Sequence, residues 1–223
     1  MESERLPLIV LATRRLLLRE FLAEDEEALA PIFADREMMR FYPEPFTRER
    51  TRAWIARAMR LYRERGYGLW ALIRRDDGLF LGDCGIVPQQ IEGQELLEIG
   101  YHVRREQWGR GYATEAATAC RDYAFANLGA PLVCSIVDPA NHASQRVAER
   151  VHTARRMFHW ERNNREMWLY SSERPVDSSD SPPGRAEGDI PSRTDARGPA
   201  DAPAPNGPVR ASEIRLRGLP QLP

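Results

Sequence analysis

Apolar and polar residues follow two periods along the first 170 residues. Alternation or short apolar runs predict strands at 16–21, 68–74, 79–87, 95–103, 132–137, 156–160 and 166–170. Apolar residues at helical spacing predict helices over 24–34, 47–65, 112–128 and 141–151. The order is an antiparallel meander followed by a strand-helix-strand step. It predicts an α+β domain with a mixed sheet.

Local residues predict where the second helix and one hairpin begin and end. Thr47 is a good N-cap, and Gly66 stops the helix because glycine adopts the left-handed conformation. The apolar face that includes Trp54 is expected to pack in the core. Pro31 should kink or shorten the first helix, and Gly78 favours a hairpin turn before the strand that follows.

Composition changes sharply near residue 171. From Ser171 to Pro223 the chain holds 10 Pro, 5 Gly and 7 Ser in 53 residues, with no aromatic residue. Such a segment buries too little apolar surface to fold. We therefore expect a domain over residues 1–171 and a disordered tail over 172–223.

Charge and cysteine content exclude several classes of protein. The 32 basic residues are all arginine, against 33 acidic ones, so we expect no attraction to nucleic acid or acidic membranes. Without lysine, Schiff-base chemistry on a lysine is excluded. Three widely spaced cysteines predict neither a metal site nor a disulfide framework, and they favour a reducing cytoplasm. The apolar run Leu6–Ala12 is too short for a membrane span.

The most informative motif is the segment Gln107–Ala113, QWGRGYA, between a strand and an amphipathic helix. Two glycines one residue apart let backbone N–H groups converge at the positive end of that helix. This geometry binds phosphate or pyrophosphate. The motif has no Gly-Lys-Ser/Thr sequence and no third glycine, so it is neither a P-loop nor a dinucleotide fingerprint.

Together with the strand EIGYHV before the loop and the later segment Asn141–Arg150, the motif resembles the GNAT N-acetyltransferase superfamily. The opening RRLLLREF resembles its RimJ/RimL-like branch. The resemblance covers roughly residues 12 to 171. It implies a GNAT-like, mostly antiparallel sheet of about six to seven strands flanked by about four helices.

The resemblance also implies that acetyl-coenzyme A (acetyl-CoA) is the cosubstrate, bound without a metal. Its expected contacts are Tyr101, His102, Val103, Gln107, Trp108, Gly109, Arg110, Gly111, Tyr112, Ala113, Asn141 and Ser144. A bulged strand over Ile99–Val103 would offer backbone N–H groups to the thioester carbonyl. Asn141 is equally well explained as the N-cap of its helix.

Two residues of the same strand are candidates for proton transfer. Glu98 lies beside the expected cleft and is the first choice of general base. His102, four residues on, is a weaker candidate for a proton relay, because a single histidine is more often structural. No tyrosine stands where relatives place a general acid.

The sequence departs from the family pattern after the last helix, and it leaves more than one function possible. Relatives have a glycine after the last helix, whereas here Glu149–Arg150 is followed by Val151 and His152. The leading prediction is acetyl transfer to a primary amine, either a protein N-terminal α-amine or a small molecule, by a monomer or homodimer. The alternatives are a non-catalytic acyl-CoA sensor and a nucleotide-binding regulator.

Overall fold

The computed structural model describes residues 7–175. Its eight strands are β1 (Ile9–Ala12), β2 (Leu16–Arg19), β3 (Leu69–Arg74), β4 (Phe80–Ile91), β5 (Gln94–Val103), β6 (Leu132–Val137), β7 (Ala154–Trp160) and β8 (Arg165–Glu173). Its four α-helices are α1 (Glu26–Ala34), α2 (Arg48–Arg65), α3 (Tyr112–Asn127) and α4 (His142–Val151). Short 3₁₀ turns lie at Ala23–Asp25 and Arg105–Gln107.

The strands form one sheet in the order β1-β2-β3-β4-β5-β6-β8-β7. Every neighbouring pair is antiparallel except β5 and β6, which are parallel. The predicted fold class is therefore confirmed, with eight strands where about six to seven were expected. The additional strand is β1, which lies at the sheet edge, spans four residues and shows too little alternation to be recognised.

Helix α2 begins and ends where its sequence predicts. The Thr47 side chain accepts a hydrogen bond from the Arg50 N–H, and Gly66 ends the helix at a φ of 77°. Pro31 lies inside α1, which continues only three residues beyond it, to Ala34. The helix therefore ends within one turn of the proline.

Strand β3 shows how the two faces of the sheet are covered. Leu69 and Ala71 pack with Phe33 and Ile55, from the side of α1 and α2. Trp70 and Leu72 point to the other face and pack with the alanines of α3. Since successive strand residues point to opposite faces, β3 is buried on both sides. Helices therefore cover both faces of the sheet.

The parallel strands β5 and β6 separate soon after they meet. Their pairing is limited to Leu97 with Val133 and Glu98 with Cys134. Beyond Glu98, β5 continues to Val103 paired only with β4, and β6 continues to Val137 paired only with β8. The two strands thus open a gap in the sheet directly before the glycine-containing loop.

Strand β5 has no bulge against β4, contrary to the expectation for Ile99–Val103. The register runs without interruption from Gly82 opposite Val103 to Ile91 opposite Gln94. The gap itself exposes backbone groups instead, because β6 has moved away from that edge of β5. A bulge is not needed to free them.

The predicted domain boundary lies close to the end of β8, which reaches Glu173. The predicted disordered tail lies outside the described residues, apart from its first four. Within residues 7–175, no helix combines the length and the apolar character needed to cross a membrane.

Candidate active site

A cavity of about 730 Å³ lies at the gap between β5 and β6. It extends from the loop before α3 to the side chains of α2 and the turn between β7 and β8. All but one of the expected cofactor contacts line it: Tyr101, His102, Val103, Gln107, Trp108, Gly109, Gly111, Tyr112, Ala113, Asn141 and Ser144. The exception is Arg110, whose side chain is exposed outside the cavity.

The loop before α3 turns at its two glycines. Gly109 has a φ of 74° and Gly111, the N-cap of α3, has a φ of 79°. No side chain caps α3, and no acceptor among residues 7–175 receives the N–H groups of residues 109–111. A Cβ built at Gly109 would meet no atom within 4 Å. The loop therefore presents unpaired donors to open space at a helix N-terminus.

Arg15 and Glu115 hold this loop from behind. Arg15 Nε lies 2.6 Å from Glu115 Oε2, and its Nη1 donates to the carbonyl oxygen of Arg110 at 2.9 Å. The guanidinium also stacks 4.7 Å from the centre of the Tyr112 ring. Thr13 donates to the same carboxylate at 2.6 Å. These contacts join residues about 100 positions apart, so no local pattern could have revealed them.

Side chains on either side of the loop are held by hydrogen bonds. Gln107 Oε1 accepts from Arg74 at 3.0 Å. Trp108 is 41% exposed, yet its Nε1 donates to the carbonyl of Val103 at 2.5 Å. The indole is thus tied to the end of β5 rather than buried, and it forms part of the cavity wall.

Alternate residues of β5 direct their backbone groups into the gap. The Ile99 carbonyl accepts from Ser135 Oγ of β6 at 2.8 Å, and the Val103 carbonyl accepts from Trp108. Because strand residues two apart point the same way, the N–H and C=O of Tyr101 also face the gap. The Tyr101 hydroxyl donates to the carbonyl of Ser144 at 3.0 Å, which joins β5 to α4 across it.

Asn141 caps its helix, which is one of the two roles expected for it. Its Oδ1 accepts from the Ser144 N–H at 3.1 Å. Its amide nitrogen donates to no group of residues 7–175, and the residue is half-buried in the cavity wall. The cap therefore leaves a hydrogen-bond donor available beside the gap.

Glu98 lies at the last pair before β5 and β6 separate. Gln89 Nε2 donates to its Oε2 at 2.6 Å. Burial raises the pKa of this carboxyl above its ordinary value. Hydrogen bonds from Gln89 and from the Ile136 N–H lower the pKa, but burial has the larger effect. Glu98 is thus a carboxylate in the cavity wall that binds protons more readily than one in water.

His102 is the middle of a three-residue hydrogen-bonded chain. Its Nδ1 lies 2.7 Å from Oδ1 of the fully buried Asp83, and its Nε2 lies 2.7 Å from the Tyr42 hydroxyl. A carboxylate oxygen accepts, so Nδ1 bears a hydrogen, and in the neutral imidazole Nε2 then accepts from Tyr42. A relay through His102 therefore has to pass through Tyr42, to which the sequence analysis assigned no role in proton transfer.

The surroundings of His102 are aromatic. Phe33 and Trp54 contact its ring edge to face, at 5.2 and 5.6 Å between centroids. Trp54 Nε1 donates to Oδ2 of Asp83 at 2.7 Å. Trp54 was expected in the core, and it is half-buried, but it also lines the cavity and fixes the aspartate.

The missing glycine after α4 is replaced by an extended residue rather than a strained one. His152 ends the helix at φ −113° and ψ 159°. Its ring is buried between Ser135 Oγ, at 3.0 Å, and Ser172 Oγ, at 3.4 Å. Burial, helped by the nearby Arg121, lowers its pKa from 6.5 to about 4. The histidine thus joins α4 to β6 and β8 behind the cavity.

Comparison with known proteins identifies the family. The family model of the acetyltransferase (GNAT) domain matches residues 15–153. The chain belongs to the GNAT acetyltransferase family. This makes it an acyltransferase, as the sequence predicted.

The chain resembles a relative known by its sequence, and solved structures of acetyltransferases agree with the assignment. YkkB of Bacillus subtilis is 43% identical over 144 residues, which cover 63% of this chain and 83% of that protein. An acetyltransferase from Agrobacterium tumefaciens is 27% identical, with a TM-score of 0.64 over 78% of this chain and 99% of that one. RimL, a ribosomal L7/L12 α-N-protein acetyltransferase in complex with coenzyme A (CoA), is 16% identical and shares the fold, with a TM-score of 0.60 over 74% and 98%.

Proposed function

We propose that this GNAT protein transfers an acetyl group from acetyl-CoA to a primary amine, without a covalent enzyme intermediate. The acceptor is a protein N-terminal α-amine or a small-molecule amine. The observation that supports this most strongly is the gap between β5 and β6, which ends at a loop of unpaired N–H groups. A phosphate-bearing ligand with a long polar arm fits such a loop and gap.

The residues present suit the parts of acetyl-CoA. The pyrophosphate would bind the N–H groups of residues 109–111, where the N-terminus of α3 adds a favourable dipole. The pantetheine arm would lie in the gap, beside the backbone of Tyr101 and the free amide nitrogen of Asn141. The open space in front of Gly109 leaves room for this ligand. Structural similarity to RimL, which is known in complex with CoA, supports CoA as the kind of ligand.

When bound, acetyl-CoA supplies a thioester whose carbonyl carbon an amine can attack directly. The N–H of Tyr101 faces the gap and is the donor that we assign to the carbonyl oxygen as it gains charge. Side-chain identity matters little for such a backbone donor. The thiolate, with a thiol pKa of roughly 8.5, needs no dedicated acid to leave.

Glu98 is the residue that we assign to remove the proton of the amine. Its raised pKa makes its ionised form a stronger base than an ordinary carboxylate. Tyr42 has a different role. Its hydrogen is engaged by His102, so its oxygen accepts a hydrogen bond from the amine and orients it. His102 and Asp83 act through Tyr42 as positioning residues.

Thermal unfolding with and without acetyl-CoA tests ligand binding, with ATP and NAD as controls. A ligand at 100 times its Kd adds about 2.7 kcal/mol to the free energy of unfolding, which moves the midpoint by several degrees. We expect a shift with acetyl-CoA alone. A larger shift with ATP or NAD would favour the nucleotide-binding alternative.

Turnover separates an enzyme from an acyl-CoA sensor. We expect thiol release that depends on an added amine, and its loss in Glu98→Gln without loss of acetyl-CoA binding. A sensor would bind acetyl-CoA equally well in both proteins and release no thiol with any amine.

A further inference from the structure

Arg57 differs from the other partly buried arginines. Within residues 7–175, the arginines that are not exposed are Arg15, Arg19, Arg57, Arg74, Arg104 and Arg121. Five of them pair with a carboxylate. Arg57 pairs with none and makes no hydrogen bond to any described residue. A guanidinium that is partly removed from water and forms no salt bridge can bind an anionic ligand.

A second arginine lies close to it. Arg162, in the turn between β7 and β8, lines the same cavity as Arg57, which projects from α2. Its Nη1 makes one long hydrogen bond, 3.5 Å to Gln89 Oε1. Burial, followed by repulsion from Arg162, lowers the pKa of Arg57, although the guanidinium stays charged. The carboxylate of Glu98 attracts Arg57 and opposes this decrease, but it forms a salt bridge with neither arginine. Two guanidiniums therefore face one part of the cavity beside a single carboxylate.

Glu98 belongs to the same cluster. Gln89 joins it to Arg162, because its Nε2 donates to Glu98 while its Oε1 accepts from Arg162. Arg162 also opposes the rise in the pKa of Glu98, so the two side chains interact electrostatically. The cluster thus places the Glu98 carboxylate, which can bind an amine, beside two guanidiniums, which can bind an anion.

This cation pair is separate from the glycine-containing loop. Glu98 stands five residues before Val103, which is about 17 Å along an extended strand. The loop N–H groups suit the phosphates of the cofactor at one end of the cavity. Arg57 and Arg162, at the other end of the cavity, are therefore available to bind a different anion.

We propose that the acceptor is an amine that also has an acidic group, which binds Arg57 and Arg162 while the amine nitrogen faces Glu98 and Tyr42. This inference rests on the proposed acetyl transfer and narrows its substrate class. The same chemistry is offered by a free amino acid, through its α-carboxylate, and by a protein N-terminus with an acidic residue beside it.

Two matched pairs of amines test the proposal. Phenylalanine and phenylalaninamide differ in one carboxylate, and the amidated tripeptides Ser-Asp-Ala and Ser-Asn-Ala differ in one acidic side chain. For at least one pair, we expect kcat/KM to be about 10- to 100-fold higher for the acidic member, mainly through KM, as a charge-assisted hydrogen bond would give. The pair that shows the preference identifies the source.

Variants connect this preference to the two arginines. Arg57→Gln should bring the ratio of kcat/KM within that pair to about one, with the KM for acetyl-CoA unchanged, and Arg162→Gln should lower the ratio less. Arg63→Gln, on the exposed side of α2, is the matched control and should preserve it. Equal kcat/KM within both pairs for the wild-type protein would overturn the proposal, as would a preference that survives in Arg57→Gln.

A binding measurement separates this inference from the proposed function. The acidic amines can be titrated into the CoA-bound protein without any turnover. If no amine is acetylated, the proposed function fails. The anion site would still be supported if the wild-type protein binds the acidic amines and Arg57→Gln does not. Absence of binding to the wild-type complex would overturn the inference.

Discussion

Asp83 and His102 face each other across β4 and β5, with 2.7 Å between Oδ1 and Nδ1. Asp83 is fully buried, and its second oxygen is taken by the Trp54 indole at 2.7 Å. The aspartate therefore fixes both the tautomer and the ring plane of the histidine. The hydroxyl of Tyr42 is held by that ring, and Tyr42 lines the cavity.

Removing this hydroxyl should impair the reaction without affecting the cofactor. We expect Tyr42→Phe to lower kcat/KM for the amine about tenfold, the value of one hydrogen bond, with an unchanged KM for acetyl-CoA. Initial rates of thiol release at varied amine concentration measure this. Tyr123→Phe, whose ring packs on Trp70 away from the cavity, is the control. An equal loss in both variants would argue against a role for Tyr42.

Glu98→Gln should remove the general base. We expect kcat to fall by about 10²- to 10⁴-fold, since this is the usual contribution of general base catalysis. Glu95→Gln, an exposed position on the same strand, should retain full activity. If Glu98→Gln keeps at least a third of the wild-type kcat, the base is another group.

The pH dependence of the reaction rate tests the role of Glu98 independently. Burial raises the pKa of Glu98 above 4.5, and the base must be ionised to act. The wild-type rate should therefore fall with decreasing pH at a higher pH than an ordinary carboxyl would give. Glu98→Gln should lose this decline, whereas Tyr42→Phe should retain it. The ionisation of the amine is common to all three enzymes and cancels in their comparison.

Gly109→Ala tests the loop against a matched glycine elsewhere. Gly109 and Gly78 have φ values of 74° and 71°, and an added Cβ meets nothing within 4 Å at either. Each alanine should therefore cost about 1 kcal/mol of stability through backbone strain alone. Only Gly109→Ala should also weaken acetyl-CoA binding, because the strain shifts the N–H groups that bind phosphate. Equal affinities in the two variants, measured by titration, would place the phosphates elsewhere.

His152 should make stability depend on pH. Its pKa is about 4 in the folded chain, against the ordinary value of 6.5 once the chain unfolds, so the unfolded chain binds the extra proton between these values. Stability is thus complete above pH 6.5 and decreases as pH falls toward 4, by up to about 3 kcal/mol. Denaturant unfolding at pH 7.5 and 4.5 measures the decrease. His152→Gln should show a smaller one, and an equal decrease would assign the pH dependence to other groups.

Features that short segments determine were predictable from the sequence. The cap at Thr47, the left-handed stop at Gly66 and the turns at Gly109 and Gly111 each depend on residues within a few positions. The loop motif and the strand that contains Glu98 also follow from local pattern. The prediction of a bulge in β5 was wrong because the separation of β5 from β6 depends on how distant strands pack.

Features that join distant segments were not predictable in the same way. Arg15 and Glu115 are 100 positions apart, and nothing in either segment indicates the other. Asp83 could have been paired with His102, because the hairpin turn at Glu92 and Gly93 sets their register. Its contact with Trp54 depends on how α2 packs on the sheet. The same packing leaves Arg57 without a salt bridge among residues 7–175.

The most direct test of the account is thiol release from acetyl-CoA with phenylalanine and the amidated Ser-Asp-Ala as acceptors, with the acetylated amine confirmed by mass. Wild-type protein should form thiol and acetylated amine in equal amounts, and Glu98→Gln should form neither at a comparable rate while it still binds acetyl-CoA. Binding of acetyl-CoA without acetylation of either of these amines, or of a wider panel of primary amines, would contradict the assignment of acetyl transfer to this cleft.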